Sequence, residues 1–313
     1  MLELFFLMLG LIGLWLGTEL VIKGAVNIAN YYELSQVFVG VAILAIGTDL
    51  PEMVIAINAS IQNVLHGVDT SGIIIGNAIG SSFSQISLVL GLAGLLGYLT
   101  LSKRHLYEDG IVLLGAVLFL ILLGFDGQIT RIEGIVLIVI YIMYYSRLIH
   151  QERFGQKIRK KLHKGIRRDF LLLILGMAIV IFASEIVVDN AVRFSEKLGI
   201  RQSFVGIILI GLGTSLPELA LSLNAVRKKA IGLSVGNLIG SNIFDLLIPV
   251  GLGATISELK FERSLIWFDF PFLLLLSFVV LFFFKKKKGL QKIEAVILIG
   301  IFTLYAALKV VGV

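Results

Sequence analysis

Cysteine is absent from the 313-residue chain. That excludes disulfides and any thiolate metal site, and it leaves the redox compartment open. Charge is scarce. Asp, Glu, Lys and Arg make up 15% of the residues, against roughly 25% in soluble domains. Proline is scarcer, with four residues at 51, 217, 249 and 271. His66, His105, His150 and His163 fall in predicted loops or at helix edges and read as surface residues rather than ligands. No HExxH sequence is present, and no histidine at membrane depth accompanies a serine nucleophile, so the chain does not read as an enzyme.

What fills the chain instead is apolar. Hydrophobic residues make up 58% of it and the mean hydropathy is +0.98. A helix crossing the hydrocarbon core needs roughly 20 mostly apolar residues. Ten such runs predict ten transmembrane helices, at 3–24, 36–62, 70–99, 107–124, 130–149, 169–192, 202–226, 232–256, 264–284 and 291–310. The expected fold is therefore an all-α membrane protein, with the lipid bilayer as its surroundings. The first run begins MLELFFLMLG, with no basic n-region and no small-residue cleavage site, so it reads as a membrane helix rather than a signal peptide.

The net charge of +6 raises the question of nucleic acid, but its placement answers it. Lys103, Arg104, the run from Arg147 to Arg168, Arg227 to Lys229, Lys285 to Lys288 and Lys292 all fall on one side of a ten-helix topology. The other side holds only Arg131, Arg193, Lys197, Arg201, Lys260 and Arg263. This is a positive-inside bias. It predicts a cytoplasmic central loop at 150–168 and both termini outside, and it implies no nucleic-acid partner.

The sequence repeats itself. Residues 18–52 align without a gap with 184–218, sharing Glu19/Glu185, Gln36/Gln202, Gly40/Gly206 and the hexapeptide GTxLPE. Downstream, GNAIGSS at 76–82 matches GNLIGSN at 236–242. Five helices in each copy is an odd number, so the second copy would enter the membrane from the opposite side. The expected organisation is two inverted five-helix repeats, 1–149 and 169–313, joined by the basic loop 150–168. In secondary transporters of this kind the substrate site lies at the repeat interface near the midplane.

Two of the four prolines, Pro51 and Pro217, sit inside the repeated motif. Proline removes one helix N–H and clashes with the carbonyl four residues back, which belongs to Gly47 or Gly213. The helix should break there and free carbonyl oxygens. Such a break at membrane depth is tolerated only inside protein or beside water. Glu52 and Glu218 follow the prolines directly. A carboxylate mid-membrane costs about 2.5–3.5 kcal/mol on insertion scales and so marks a function. Two of them converging would repel unless a proton or cation lay between. Carboxylates beside carbonyls suit a hard cation such as calcium or magnesium. The second motif adds Ser81 and Gln85, and Ser241 and Asp245, each pair on one helix face. Gly76, Gly80, Gly236 and Gly240 leave room for close helix packing. Glu19 and Glu185 read as helix-end or vestibule residues.

GTDLPE with GNAIGSS, and GTSLPELALSLNA with GNLIGSNIFDLL, resemble the two alpha-repeats of the calcium/cation antiporters. The likeness is greatest to the prokaryotic sodium/calcium exchangers, and it extends over nearly the whole chain. The resemblance implies a monomeric antiporter of a prokaryotic cell membrane, with Ca2+ and Na+ as transported ions and no cofactor. It implies that Glu52 and Glu218 hold calcium, with Thr48 and Thr214 lending backbone oxygen. It places sodium on the same glutamates with Ser81, Ser241, Ser215, Asp245 and Gln85, and on the carbonyls of Ala45 and Gly211. The first helix of each repeat would slide against a fixed core.

Two positions depart from the family pattern. Asp49 stands where a small hydroxyl residue is usual, and Gln85 where asparagine is usual. Asp49 either adds a carboxylate to the site or faces away from it. The residues by themselves leave open a proton-driven antiporter, one that carries another divalent such as magnesium, and a passive cation channel.

Overall fold

The computed structural model describes residues 2–67, 69–154, 165–197, 214–261, 263, 265–287 and 289–311. The described residues are almost entirely helical. The long helices are α1 (Leu2–Tyr32), α2 (Gln36–Thr48), α3 (Leu50–His66), α4 (Ser71–Leu96), α5 (Lys103–Leu123), α6 (Arg131–Phe154), α7 (Ile166–Lys197), α8 (Leu216–Arg227), α9 (Ile231–Ile256), α10 (Phe270–Lys287) and α11 (Lys292–Val311). Among the described residues, six helical segments are long and apolar enough to cross a membrane, or seven with α2 and α3 taken as one bent span. The expected span 202–226 is described only from Thr214.

The bend between α2 and α3 is 42°. It falls at Asp49, where the motif puts a glycine and a proline on either side. Pro51 and Pro217 each occupy the first turn of the helix that follows, α3 and α8. Proline is tolerated there because the N–H it lacks would have had no helical partner. Each proline thus begins a helix whose first turn carries a glutamate, Glu52 or Glu218.

α9 is buried along nearly its whole length, from Leu233 to Ala254. Against it α2 packs at backbone distance. A Cβ on Gly236 would lie 2.5 Å from the Val37 carbonyl oxygen, and one on Gly240 would lie 2.8 Å from Val41 Cα. On the facing helix, a Cβ on Gly40 would meet Asn237 N at 2.7 Å. For Gly76 and Gly80 no such neighbour lies within 4 Å among the described residues. α1 and α7 form a separate antiparallel pair. Gly24 faces Asp169 and Leu173, Gly17 faces Val180, and Gly13 faces Ala183.

Helices are not the whole of the fold. β1 (Gln128–Ile129) pairs antiparallel with β2 (Leu259–Lys260), and Leu99 pairs with Leu290 through reciprocal bonds of 3.2 and 2.8 Å. These clasps join the first half of the chain to the second. The loop after α4 meets the loop before α11, and the loop after α9 meets the loop before α6. A second correspondence is buried. Tyr144 donates to Asp109 at 3.1 Å, and Tyr305 donates to Asp269 at 2.7 Å. His105 and Lys309 complete the two clusters. Each tyrosine ties the helix after the aspartate back to it. The helices are also locally rewound. Turns with i→i+5 bonding occupy Gly40–Leu44, Gln85–Val89 and Leu265–Asp269. In α9 the position equivalent to Val89 is Pro249, so both copies carry an irregularity at one level.

Candidate functional site

The half-helix starts set the geometry. Asp49 precedes α3 with φ −89° and ψ 8°, and Ser215 precedes α8 with φ −87° and ψ 5°. Glu52 and Glu218 follow in the first turn of each, near the positive end of the helix dipole, where a carboxylate is favoured. Both are fully buried, as are Asp49 and Asp245. Asp49, Glu52 and Glu218 each present a carboxylate oxygen within 4.8 Å of the other two. Asp49 thus faces into the site.

At that spacing two unit charges repel by about 3.5 kcal/mol or more at an effective dielectric of 20. The first turns of two half-helices, worth roughly 1–2 kcal/mol each at best, do not offset three such pairs. Among the described residues no lysine or arginine forms an ion pair with these carboxylates. Among the described residues, none of their six oxygens has a hydrogen-bond donor in bonding geometry. Thr214 approaches Glu52, and Asp49 and Thr48 approach Glu218. A dense set of buried, orphaned carboxylate oxygens is the donor set a hard cation needs.

Asp245 is held differently. Ser81 Oγ donates to its Oδ2 at 2.7 Å, and Gln85 Nε2 donates to the same oxygen at 3.0 Å. Asn242 Nδ2 donates to Gln85 Oε1 at 2.8 Å and so orients that amide. Among the described residues, Oδ1 of Asp245 and Oγ of Ser241 have no hydrogen-bond partner. The Gln85 side chain therefore reaches Asp245 on α9.

Thr48 Oγ1 lies 3.1 Å from the Leu44 carbonyl, 3.3 Å from that of Ala45 and 3.5 Å from Asn237 Oδ1. Thr214 Oγ1 lies 3.5 Å from Asn77 Oδ1. The asparagine of each GNxIGS motif thus reaches the threonine of the other repeat. Asn77 and Asn237 were not among the residues singled out from the sequence, although their repetition in both motifs was the available signal. The Ala45 carbonyl accepts the Asp49 N–H at 3.0 Å, so it is engaged within the helix and offers only its second lone pair. Ser215 is buried. Gly211, Gly213, Gln202 and Gly206 lie outside the described residues, as does the side chain of Glu185. Glu19 lies away from this centre, against Lys228. His105 bonds Asp109, His66 is exposed at the end of α3, and His163 lies outside the described residues.

The chain is similar in sequence and fold to known proteins. A family model described as sodium/calcium exchanger protein matches residues 2–149 and 169–311. An uncharacterized membrane protein of Methanocaldococcus jannaschii is 33% identical over 259 residues, covering 82% of this chain and 83% of that protein. A sodium/calcium exchanger of Methanosarcina acetivorans, MaX1, is 26% identical over 334 residues, covering 93% and 94%. Among solved structures, the sodium-calcium exchanger NCX_Mj soaked with Na+ and Sr2+ superposes with a TM-score of 0.85 at 30% identity, over 98% of both chains.

Proposed function

The chain belongs to the sodium/calcium exchanger family, and from that premise we propose how its residues carry out exchange. It is an integral membrane antiporter that exchanges calcium for sodium. Calcium sits between Glu52 and Glu218, with Asp49 as a third carboxylate and with backbone oxygen from Thr48 and Thr214. Sodium ions occupy the flanking positions, using Ser81, Ser241, Ser215, Asp245 and Gln85, and the carbonyls of Ala45 and Gly211. The observation that carries this reading is the trio of buried carboxylates within 4.8 Å of one another. Calcium and sodium compete because each neutralises the same charges, so neither is released until the other arrives.

The chain is built as ten transmembrane helices in two inverted five-helix repeats, 1–149 and 169–313, with the connecting loop 150–168 in the cytoplasm and both termini outside. The crossed loop clasps, the Asp109–Tyr144 and Asp269–Tyr305 pairs and the matched dihedral angles at Asp49 and Ser215 support the inversion. The distribution of basic residues supports the orientation. The protein works as a monomer, without a cofactor.

Access alternates by sliding of the α1–α7 pair over the core. Gly13, Gly17 and Gly24 of α1 let α7 approach closely, so that the two helices move as one body. On one side of the site α1 is fastened to the end of α8. Arg227 lies 4.8 Å over the Trp15 ring, Asn224 Nδ2 donates to Thr18 Oγ1 at 3.2 Å, and Lys228 pairs with Glu19. The repeat equivalents of Asn224 and Lys228 are Asn58 and Gln62, and both are exposed. This asymmetry supports a conformation closed toward the cytoplasm. A half-exposed ion pair contributes about 0–1 kcal/mol, weak enough to open in every cycle.

Purified protein in sealed vesicles, assayed for labelled calcium uptake, tests the reading. Uptake should follow an imposed sodium gradient and ignore a pH gradient. Uptake driven by pH alone would assign the coupling to protons, and uptake indifferent to both would make the protein a channel.

A further inference from the structure

We propose that the seam between α5 and α10 is a binding site for one anionic phospholipid. A groove of about 310 Å³ runs along this seam. Ile111, Leu114, Phe278 and Phe282 line it, and Tyr107 and Lys285 close its end. Ile111 and Phe282 are exposed, so the groove opens toward the hydrocarbon rather than into the protein. An acyl chain fits such a surface.

The end of the groove is cationic. Lys285 Nζ lies 5.9 Å from the centre of the Tyr107 ring, and Lys286 Nζ lies 5.5 Å from that of Phe282. Lys103 is exposed at the start of α5. The carboxylates on the first turns of α5 are already engaged. Glu108 takes Arg104 at 3.5 Å and Arg147 at 3.8 Å, and Asp109 takes His105 at 2.9 Å. No carboxylate lies within 4.0 Å of the ammonium of Lys103, Lys285 or Lys286 among the described residues. Lysines at this depth lay their stems along apolar surface and hold the charge at headgroup level. A phosphate there gains an unpaired ammonium. A zwitterionic headgroup would bring its own cation to the same place.

The repeat supplies an internal contrast. At the opposite end of the same two helices, the equivalents of Tyr107 and Lys285 are Trp267 and Phe125. These two pack edge to face at 5.9 Å. One end of the seam is therefore an aromatic pair and the other an aromatic–lysine pair. The equivalent of Gly110 is Phe270, which is fully buried. The cationic end belongs to the face with most of the basic residues, which under the orientation proposed above is the inner leaflet, so the leaflet assignment rests on that reading. Clusters of basic residues cytoplasmic to a membrane helix are where anionic headgroups bind.

Brominated-lipid quenching of tryptophan tests this. Trp15 and Trp267 are the only tryptophans. A Y107W reporter with W15F and W267F would be reconstituted in bilayers of phosphatidylcholine containing brominated phosphatidylglycerol or brominated phosphatidylcholine. The relative binding constant for phosphatidylglycerol should be about threefold or more at Y107W. It should fall to about one when K285Q and K286Q are added. The W15F protein, reporting from Trp267, should give a ratio near one. A ratio near one for the Y107W reporter, or a ratio indifferent to the lysine substitutions, would overturn the proposal. If the reporter does not fold, native mass spectrometry of the unaltered protein replaces it. Delipidated protein given equal phosphatidylglycerol and phosphatidylcholine should retain one phosphatidylglycerol, and K285Q/K286Q should retain none. Equal retention by both proteins would refute the site. Ion exchange is not part of either readout, so failure here leaves the transport reading standing.

Discussion

Asp49 and Ser215 hold the same backbone conformation, within 3° in both dihedral angles, at the start of two half-helices that meet at one centre. They differ in the side chain each places there, a carboxylate against a hydroxyl. Calcium affinity rises with the number of charged ligands. D49S should therefore raise the calcium concentration for half-maximal uptake about tenfold, a change of about 1.4 kcal/mol. Sodium should then displace calcium more readily. Concentration series of labelled calcium uptake, with and without sodium, would show this. Unchanged half-saturation would place Asp49 outside the coordination shell.

The pairing of Glu19 with Lys228 fastens a sliding helix to the core. An E19C/K228C disulfide should hold α1 against α8 and arrest exchange, and reduction should restore it. The chain contributes no cysteine of its own, so a loss on oxidation would report this pair alone. Full-rate exchange in the oxidised protein would show that α1 and α8 do not separate during transport.

Gly236 and Gly115 make a paired test of packing. A Cβ at Gly236 would lie 2.5 Å from the Val37 carbonyl oxygen, whereas one at Gly115 meets nothing within 4 Å among the described residues. G236A should destabilise by about 1–3 kcal/mol, the range for overpacking. G115A should be neutral or slightly stabilising, because alanine favours helix. Thermal unfolding in detergent measures both. Equal melting temperatures would mean that α2 and α9 have slack between them.

Some of this was legible in the sequence because the residues signal their own purpose. A glutamate beside a proline in an apolar run is costly, and its duplication in GTxLPE excludes accident. The break beside Pro51 and the burial of Glu52 and Glu218 follow from spacing, whereas spacing puts Ser81 and Gln85 on one face without showing that Asp245 is what they meet. Other features depend on partners that spacing does not fix. Tyr144 and Tyr305 look like ordinary helix aromatics until they meet Asp109 and Asp269 on the preceding helices. Asn77 and Asn237 are short amides that gain meaning only beside a threonine of the other repeat. The π-turns at Gly40–Leu44 and Gln85–Val89 carry no proline to announce them. The β1–β2 clasp joins loops more than a hundred residues apart, and two-residue strands lie below any periodicity a sequence can display.

The central claim is that one cation site is shared by the two repeats through Glu52 and Glu218. Sodium-driven uptake of labelled calcium by reconstituted E52Q and E218Q tests it most directly, with each protein shown to be folded by its melting transition. Both single substitutions should abolish uptake, because each leaves the calcium with too few carboxylates on one side. Normal uptake in either variant would contradict the account.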